Sequence, residues 1–304
     1  MSNLILLPVS LFAGWLFHRL KILPENATQT LNGLIINLFL PAITLRHTVE
    51  MPVQSAYLLP VLSAWLVFGG ACLFFWGIHR WTQFDRSTQG ALIVTAGISS
   101  ISFVGFPIFE MLYGAEGLQA GILMSLCGTF LICSTAGIAI VEIYTDTTGL
   151  VNWKTILKSI LRFPPFATFC FAFVLRCLGY HHSPIVLDFL QKLGSPMNVI
   201  ALFSIGFQTD FSINNEHIKA LRLGLFYKLM IAPLLVWMIY IVVLKQKGAS
   251  ANISVLGSVL GSMNTIGIIA IRQGLNPPLI AQMLSISIPL SLLLLPLFYG
   301  LLSF

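Results

Sequence analysis

The stretch TAGISSISFVGFPIFEMLYG, residues 95–114, decides the fold of this chain. It belongs to a run of 23 residues without a charge, 87–109, which is long enough for a helix that spans a lipid bilayer. Hydroxyl side chains and helix breakers nevertheless occupy its middle: Ser99, Ser100, Ser102, Gly105 and Pro107. Breaking a helix in hydrocarbon leaves backbone N–H and C=O groups unpaired, at several kcal/mol each, unless protein or cavity water satisfies them. The stretch therefore predicts a transmembrane helix that is interrupted where protein surrounds it.

Composition places the whole chain in the membrane. Of its 304 residues, 57% are hydrophobic and only 9% are charged, and the mean hydropathy is +0.91. Soluble domains carry roughly 25% charged residues. Charge-free runs of about the length that spans a bilayer recur from end to end, so the composition predicts an all-α polytopic membrane protein.

The apolar runs predict ten transmembrane helices and their orientation. We place predicted helices 1 to 10 at 3–17, 31–48, 57–79, 91–113, 117–141, 159–180, 184–209, 219–244, 251–273 and 277–303. Eleven of the sixteen Lys and Arg residues follow helices 1, 3, 5, 7 and 9: Arg19, Lys21, Arg80, Arg86, Lys154, Lys158, Arg162, Lys219, Arg222, Lys228 and Arg272. Cytoplasmic loops carry the excess of positive charge, so both termini are predicted to be extracytoplasmic.

A weak internal repeat relates the two halves of the chain. A shift of 160 residues lays SISFVGFPIFEMLYG over LGSMNTIGIIAIRQG, and it pairs Ser102 with Ser262 and Gly114 with Gly274. The two five-helix blocks begin on opposite sides of the membrane in the predicted topology, which makes them inverted repeats. The blocks are 1–148 and 149–304, and they form a single integral membrane unit.

The repeat pairs predicted helices 4 and 9 as interrupted helices that cross near the middle of the membrane. Inverted-repeat transporters place their binding sites where such helices meet. Each break leaves one half-helix whose N-terminus, the positive end of its dipole, faces the crossing and attracts an anion. Polar groups expected to satisfy the breaks and bind the substrate are Ser99, Ser100, Ser102, Ser262, Asn264 and Thr265. The pattern predicts a carboxylate site without any buried Lys or Arg.

Several short motifs resemble those of the auxin efflux carrier family, which includes plant auxin transporters and bacterial malate- or malonate-type permeases. The motifs are FVGFP followed by LYGAEG, NLFLPAITL in predicted helix 2, and SMNTIGIIAIRQG in predicted helix 9. The resemblance runs from helix 1 to helix 10. It implies two inverted five-helix repeats with broken, crossing helices 4 and 9, similar to the sodium/proton antiporter and bile-acid transporter fold. It also implies elevator-like alternating access and a place in the bacterial inner membrane.

The family motifs match this chain in part. The crossover and structural positions retained are Gly105, Pro107, Asn37 and Pro41. Two departures fall at the expected crossing. Ser100 stands where the family usually has asparagine, and Met263 is followed by Asn264 instead of proline. These departures indicate a substrate that differs from those of better-known members.

Other polar residues near the breaks are further candidates. On predicted helix 7, Asn198 and Gln208 are candidate substrate ligands, and hydrogen bonding between helices is the alternative. Glu110 and Arg272 are the charged residues nearest the broken helices, which makes them candidates for coupling or gating. Snorkelling at the membrane interface is the alternative for these two. Serine, glycine and proline also serve close packing and kinks in membrane helices without any functional role.

The sequence lacks the features of several other classes of protein. No Asp or Glu lies in the middle of a predicted span, and no Gly-rich phosphate loop precedes Lys-Ser or Lys-Thr. There is no Ser/His/Asp or HExxH arrangement for hydrolysis. The cysteines and histidines form no metal-binding cluster, and no basic patch with aromatic residues predicts nucleic-acid binding. We therefore expect no enzyme activity, no cofactor and no metal.

Two functions remain open from the sequence. The first is secondary active or facilitative transport of a small organic anion, such as a carboxylate, with a proton or sodium as the candidate coupling ion. The second is a membrane solute sensor or receptor on the same scaffold, without net transport. The absence of a fused signalling domain favours transport. The fold resemblance also suggests a homodimer formed through predicted helices 2 and 7.

Overall fold

The structure, a computed structural model, describes residues 2–24, 27–50, 55–145, 162–208 and 217–302. In chain order its helices are α1 (Ser2–Arg19), α2 (Ala27–Val49), α3 (Leu58–Thr82), α4 (Arg86–Gly97), α5 (Ile101–Tyr144), α6 (Pro164–Cys177), α7 (Pro184–Gly194), α8 (Met197–Gln208), α9 (Ile218–Val243), α10 (Ala249–Val259), α11 (Asn264–Arg272) and α12 (Pro277–Leu302). A positive φ of 60° at Gly114 bends α5 into two arms, 101–113 and 115–144. Within the described ranges no β-strand occurs, so the all-α prediction is confirmed.

Helix lengths separate membrane-spanning helices from half-helices. Six stretches are long and apolar enough to cross a membrane: Ala27–Val49, Leu58–Thr82, Ile101–Tyr144, Pro184–Phe207, Ile218–Val243 and Pro277–Leu302. By contrast, α4 has 12 residues, α10 has 11 and α11 has nine. At about 1.5 Å per residue, none of these three approaches the roughly 30 Å of a bilayer core. They are interrupted helices, as the serine and glycine breakers predicted.

The helices pack as two bundles. The flanking bundle consists of α1, α2, α6, α7 and α8, and its main contacts join α1 to α8 and α2 to α6. The crossing bundle consists of α3, α4, α5, α9, α10, α11 and α12. Contacts between the bundles are made chiefly by α5, which touches α1, α2, α6 and α8. The two half-helices α4 and α10 lie inside the crossing bundle, where every residue from Thr88 to Ile101 is buried.

Three helices carry the same distortion, a five-residue π-turn that ends two residues before a proline. These π-turns are Ile35–Phe39 before Pro41, Ile101–Gly105 before Pro107 and Tyr227–Ile231 before Pro233. Proline lacks an N–H, and its ring clashes with the carbonyl four residues earlier, which in each case belongs to the π-turn. The wider turn accommodates the ring without ending the helix. Local sequence therefore sets where these helices widen.

In the flanking bundle, α1 and α8 pack backbone against backbone through two glycines. A Cβ added at Gly206 would overlap the carbonyl of Leu11, and one added at Gly14 would overlap the carbonyl of Phe203. Small residues of this kind let membrane helices approach closely. The position of the flanking bundle beside α5 therefore depends on both glycines.

We expect Gly206→Ala to lower the thermal stability of the detergent-purified protein, because the added methyl group has to push α1 and α8 apart. Overpacking of this kind costs about 1–3 kcal/mol. Gly33→Ala in α2 is the matched control, since nothing lies within 4 Å of a Cβ added there. A melting temperature for Gly206→Ala equal to that of Gly33→Ala would contradict the close packing of α1 and α8.

Candidate functional site

The two interrupted helices cross at their breaks. The first break separates α4, which ends at Gly97, from α5, which begins at Ile101. The second separates α10, which ends at Val259, from α11, which begins at Asn264. Ser99 and Ser262 form an antiparallel bridge, so the two segments of the chain run in opposite directions where they meet.

Main-chain hydrogen bonds between the breaks satisfy the exposed backbone. The Ser100 N–H donates to the Gly261 carbonyl at 2.8 Å, and the Met263 N–H donates to the Ile98 carbonyl at 3.0 Å. We expected serine hydroxyls to satisfy these groups, and that expectation was wrong for both N–H groups. An extended segment has no partners along its own chain, whereas a second antiparallel segment supplies a donor and an acceptor in register. Each break therefore supplies backbone hydrogen-bond partners to the other.

A serine from a neighbouring helix completes the crossing. The Ser262 N–H donates to the hydroxyl oxygen of Ser287 in α12 at 2.9 Å, and the two hydroxyl oxygens lie 3.1 Å apart. Both serines are fully buried. Ser287 was not among the residues singled out from the sequence, because it lies in the middle of a long apolar helix that was read as continuous.

The crossing indicates a different alignment of the two predicted repeats from the one that the sequence suggested. A shift of 163 residues carries Arg86 onto Ala249, where α4 and α10 begin, and it carries Ser99 onto Ser262. The predicted shift of 160 paired Ser102 with Ser262, and at the crossing this pairing is wrong. The smaller shift holds at the far ends of the second halves, where Gly114 and Gly274 both have positive φ. The two shifts differ because the first arm of α5 is three residues longer than the corresponding stretch that begins with α11.

A buried lysine lies against the crossing. Lys228 belongs to the π-turn of α9 before Pro233, and its side chain has no exposed surface. Its Nζ donates a 2.6 Å hydrogen bond to the hydroxyl oxygen of Ser99. The prediction of a site without a buried cation was therefore wrong, and so was the placement of Lys228 in a cytoplasmic loop. A signal existed in the sequence, since Lys228 lies nine residues inside predicted helix 8, which began at 219.

No carboxylate offsets this lysine in the helices packed around it. The π-turn of Lys228 packs against α4, α10 and α12, and none of these helices contains an Asp or Glu. Because α4 and α10 both end at the crossing, their carbonyl ends present the negative poles of two helix dipoles there. The Lys228 nitrogen lies beside Ser99, two residues past the end of α4, where these poles compensate its charge in part when it is protonated.

The opposite poles of the half-helices also meet the crossing. α11 begins at Asn264 directly after the extended residue Met263, whose side chain makes no capping hydrogen bond. Met263, Asn264 and Thr265 are half-buried, whereas Ser262 is fully buried. Ser102, in the first turn of the first arm of α5, is half-buried as well. The positive end of α11 therefore faces accessible space, which suits an anion.

A cavity of about 200 Å³ lies along α11, from Asn264 at the start of the helix to Ile271 near its end. Its lining residues come from α8, α11 and α12: Ile205, Asn264, Ile271, Ala281, Leu284, Ser285 and Ile288. Asn264 and Ser285 are the polar members of this lining, and the remainder is aliphatic. The cavity lies between the two bundles, because Ile205 belongs to the flanking bundle and the other residues belong to the crossing bundle.

Asn198 and Glu110 form a second polar junction between the bundles. The Asn198 side-chain amide in α8 donates to a Glu110 carboxylate oxygen in α5 at 2.9 Å. Both residues line a cavity of about 30 Å³ together with Arg46 and His47 of α2. Glu110 lies ten residues beyond Ser100, about 15 Å along a helix, so this junction is separate from the crossing. Asn198 was a candidate substrate ligand with hydrogen bonding between helices as the alternative, and the structure shows the hydrogen bond between helices, to Glu110.

The remaining predicted residues lie at several places. Gly105 packs against the second break, since a Cβ added there would lie 2.9 Å from Leu260 Cδ1. Pro107 begins the α-helical part of the first arm and lies beyond the break itself. Asn37 is exposed and its amide donates to the Gly33 carbonyl of its own helix, four residues before Pro41. The side chains of Gln208 and Arg272 lie outside the part of the chain that the structure describes.

Paired helix breaks deep inside an apolar helical protein, beside a cavity between two bundles, define a membrane transporter. The chain matches the membrane transport protein family, the auxin efflux carrier family, over residues 1–299 and belongs to it. It is 25% identical over 297 residues to an uncharacterized transporter of Methanothermobacter thermautotrophicus, covering 95% of this chain and 94% of the relative. It is 24% identical to an uncharacterized transporter of Methanocaldococcus jannaschii, covering 98% and 97% of the two chains. The family resemblance of the sequence motifs is thereby confirmed.

We expect Ser287→Ala to destabilise the protein, because the buried Ser262 N–H loses its acceptor. An unsatisfied buried donor costs about 1–3 kcal/mol. Ser291→Ala, four residues further along α12, is the matched control: Ser291 is equally buried, but its hydroxyl donates only to the carbonyl of Ile288 in its own helix. Thermal unfolding in detergent measures both variants. Equal melting temperatures for the two would show that Ser287 does not support the crossing.

Proposed function

We propose that this protein is a secondary transporter of small organic anions, with the carboxylate of the substrate bound at the crossing of the two interrupted helices. The observation that carries the proposal is the fully buried Lys228, which donates a hydrogen bond to Ser99. The helices packed around Lys228 contain no acidic residue. Burying a charge is costly unless an opposite charge accompanies it. A substrate anion supplies that charge.

The cavity at the start of α11 supports a particular shape of substrate. A carboxylate placed at the N-terminus of α11 meets the backbone N–H groups of its first turn, the dipole and the side chain of Asn264. The rest of the substrate lies against the aliphatic side chains of Ile205, Leu284 and Ile288, and Ser285 is the second polar residue of the lining. We therefore favour a monocarboxylate with a compact aliphatic or aromatic body. A dicarboxylate would place its second charge against these aliphatic side chains.

Ser99, Ser100, Ser262 and Thr265 are assigned lesser roles in this proposal. Three of these serines are buried and stabilise the crossing: Ser99, Ser100 and Ser262. Ser99 also links the crossing to Lys228 through its hydrogen bond. Thr265 and Ser102 are half-buried in the first turns of the second halves, where a substrate can approach them. Asn264 is the residue for which direct contact with the substrate is best supported, because it lines the larger cavity.

Transport requires that the crossing open to each side of the membrane in turn. We propose that the crossing bundle moves against the flanking bundle in an elevator-like manner, within ten helices arranged as inverted repeats 1–148 and 149–304. The separate packing of the two bundles supports this movement. The hydrogen bond between Asn198 and Glu110 joins the bundles at one end and has to break when they slide, which gives Glu110 a gating role.

The remaining features of the proposal concern the setting of the carrier. We propose a bacterial inner-membrane location with both termini extracytoplasmic, from the distribution of Lys and Arg. Lys228 does not contribute to that argument, since it is buried in α9. A homodimer through predicted helices 2 and 7 is consistent with the lipid-facing apolar side chains there, such as Leu38 and Val199.

We expect a carboxylate to raise the thermal stability of the purified protein. The screen uses malonate, succinate, benzoate and indole-3-acetate, each with and without sodium. A ligand that binds only the folded state stabilises it by about 2.7 kcal/mol at a hundredfold excess over its dissociation constant. Benzoate or indole-3-acetate should shift the melting temperature more than the two dicarboxylates, because five of the seven residues that line the cavity are aliphatic.

Paired asparagine variants locate the site. Asn264→Ala should lose the stabilisation by the anion, whereas Asn37→Ala should keep it, because Asn37 is exposed and bonds only within its own helix. Reconstituted vesicles then separate a transporter from a sensor, since a sensor binds the anion without exchanging it across the bilayer. Binding that survives Asn264→Ala would remove the site from the start of α11.

A further inference from the structure

The helices packed around Lys228 present no side chain of opposite charge to it. In α4 the charged residue is Arg86 in the first turn, and its capping Asp85 precedes it, so both lie at least thirteen residues, or about 20 Å, before Ser99. α10 carries no titratable side chain, and α12 carries Tyr299 in its last turns. Lys219 and Arg222 of α9 lie six or more residues earlier on the same helix. The neighbouring Tyr227 donates its phenol O–H to the Val67 carbonyl of α3, whose titratable residues are Cys72, His79 and Arg80.

From this environment we propose that Lys228 binds a proton together with the substrate anion, so that the carrier couples anion transport to proton transport in the same direction. The inference rests on the proposed function and names its coupling ion. The empty carrier holds a neutral amine. Loading adds one proton to the Lys228 nitrogen and one carboxylate at the crossing, and the net charge of the crossing bundle stays unchanged. On the far side both are released, and the amine is neutral again.

The hydrogen bond between Lys228 and Ser99 links the protonation of Lys228 directly to the crossing. An ammonium only donates hydrogen bonds, so the protonated Lys228 donates to the Ser99 oxygen. A neutral amine has a lone pair and accepts, so the Ser99 O–H can turn towards the nitrogen. Since Ser99 is the residue that bridges Ser262, this reversal occurs at the point where the two breaks are paired. Protonation and the local field at the crossing therefore change together.

Glu110, the acidic candidate for coupling, lies away from the crossing. Glu110 accepts a hydrogen bond from Asn198 in the smaller cavity, ten residues from Ser100. Its carboxylate belongs to the contact between the bundles, whereas Lys228 belongs to the crossing itself. Coupling through Lys228 requires no acidic residue in the middle of the membrane, which agrees with the absence of Asp and Glu from α4, α9, α10, α11 and α12.

The decisive measurement counts protons during binding. Isothermal titration calorimetry of the full-length protein with the four carboxylates of the screen, in buffers of different ionisation enthalpy, gives the number of protons taken up per anion. We expect about one proton per bound anion at alkaline pH. The apparent dissociation constant should rise about tenfold per pH unit on the alkaline side of the transition.

Three variants assign the proton to its residue. Lys228→Arg keeps a permanent charge, since a guanidinium does not lose its proton in proteins, so we expect binding without proton uptake and without pH dependence. Lys228→Met should bind the anion weakly at every pH. Lys192→Met is the matched control: Lys192 is exposed and pairs with Asp188, so the proton count should stay at about one.

The outcomes separate the two proposals. Anion binding without proton uptake in the unmodified protein overturns the coupling and leaves the anion site standing. Proton uptake that persists in Lys228→Met also overturns it, since another group then carries the proton. If none of the four carboxylates binds, the anion site fails and the coupling fails with it. Should Lys228→Arg not fold, the proton count of the unmodified protein and of Lys228→Met still decides.

Discussion

The hydrogen bonds between the two breaks are the interaction on which the rest of the structure depends. Ser100 donates to Gly261 and Met263 donates to Ile98, so each segment supplies what the other lacks. In hydrocarbon neither break has water as a substitute. The half-helices therefore have to be enclosed by longer helices, and residues 88–101 are buried accordingly. The same enclosure excludes lipid from the crossing and leaves polar groups where a solute can reach them.

The arrangement of charge follows from the chain directions at this crossing. Two half-helices end there and two begin there, so poles of both signs converge within a few residues. Lys228 lies beside Ser99, close to the end of α4, and compensates a negative pole when it is protonated. The positive pole at the start of α11 faces the larger cavity and is left for a ligand. Backbone geometry and one side chain thus account for the anion site proposed above, which has no exposed cation.

Sequence reasoning found the breaks but not the way in which they are satisfied. Serine, glycine and proline in charge-free runs identified both interrupted helices, because such residues are costly elsewhere in a membrane. The hydroxyls suggested side-chain caps, whereas the structure uses main-chain pairing, which depends on a segment 163 residues away. Lys228 was counted with the cytoplasmic charges although it lies inside predicted helix 8, and only the packing of α9 reveals its burial. The pairing of Asn198 with Glu110 joins two bundles, a relation that local patterns do not contain.

The unequal second halves of the broken helices have a consequence for the two entrances. From the crossing to the glycine with positive φ, the chain runs 13 residues on the α5 side, 101–113, and ten on the α11 side, 264–273. At about 1.5 Å per residue, the difference is about 4.5 Å. Because the segments are antiparallel, these arms leave towards opposite faces. In the proposed carrier the crossing therefore lies off the middle of the pathway, and a solute would travel a deeper vestibule from one face than from the other.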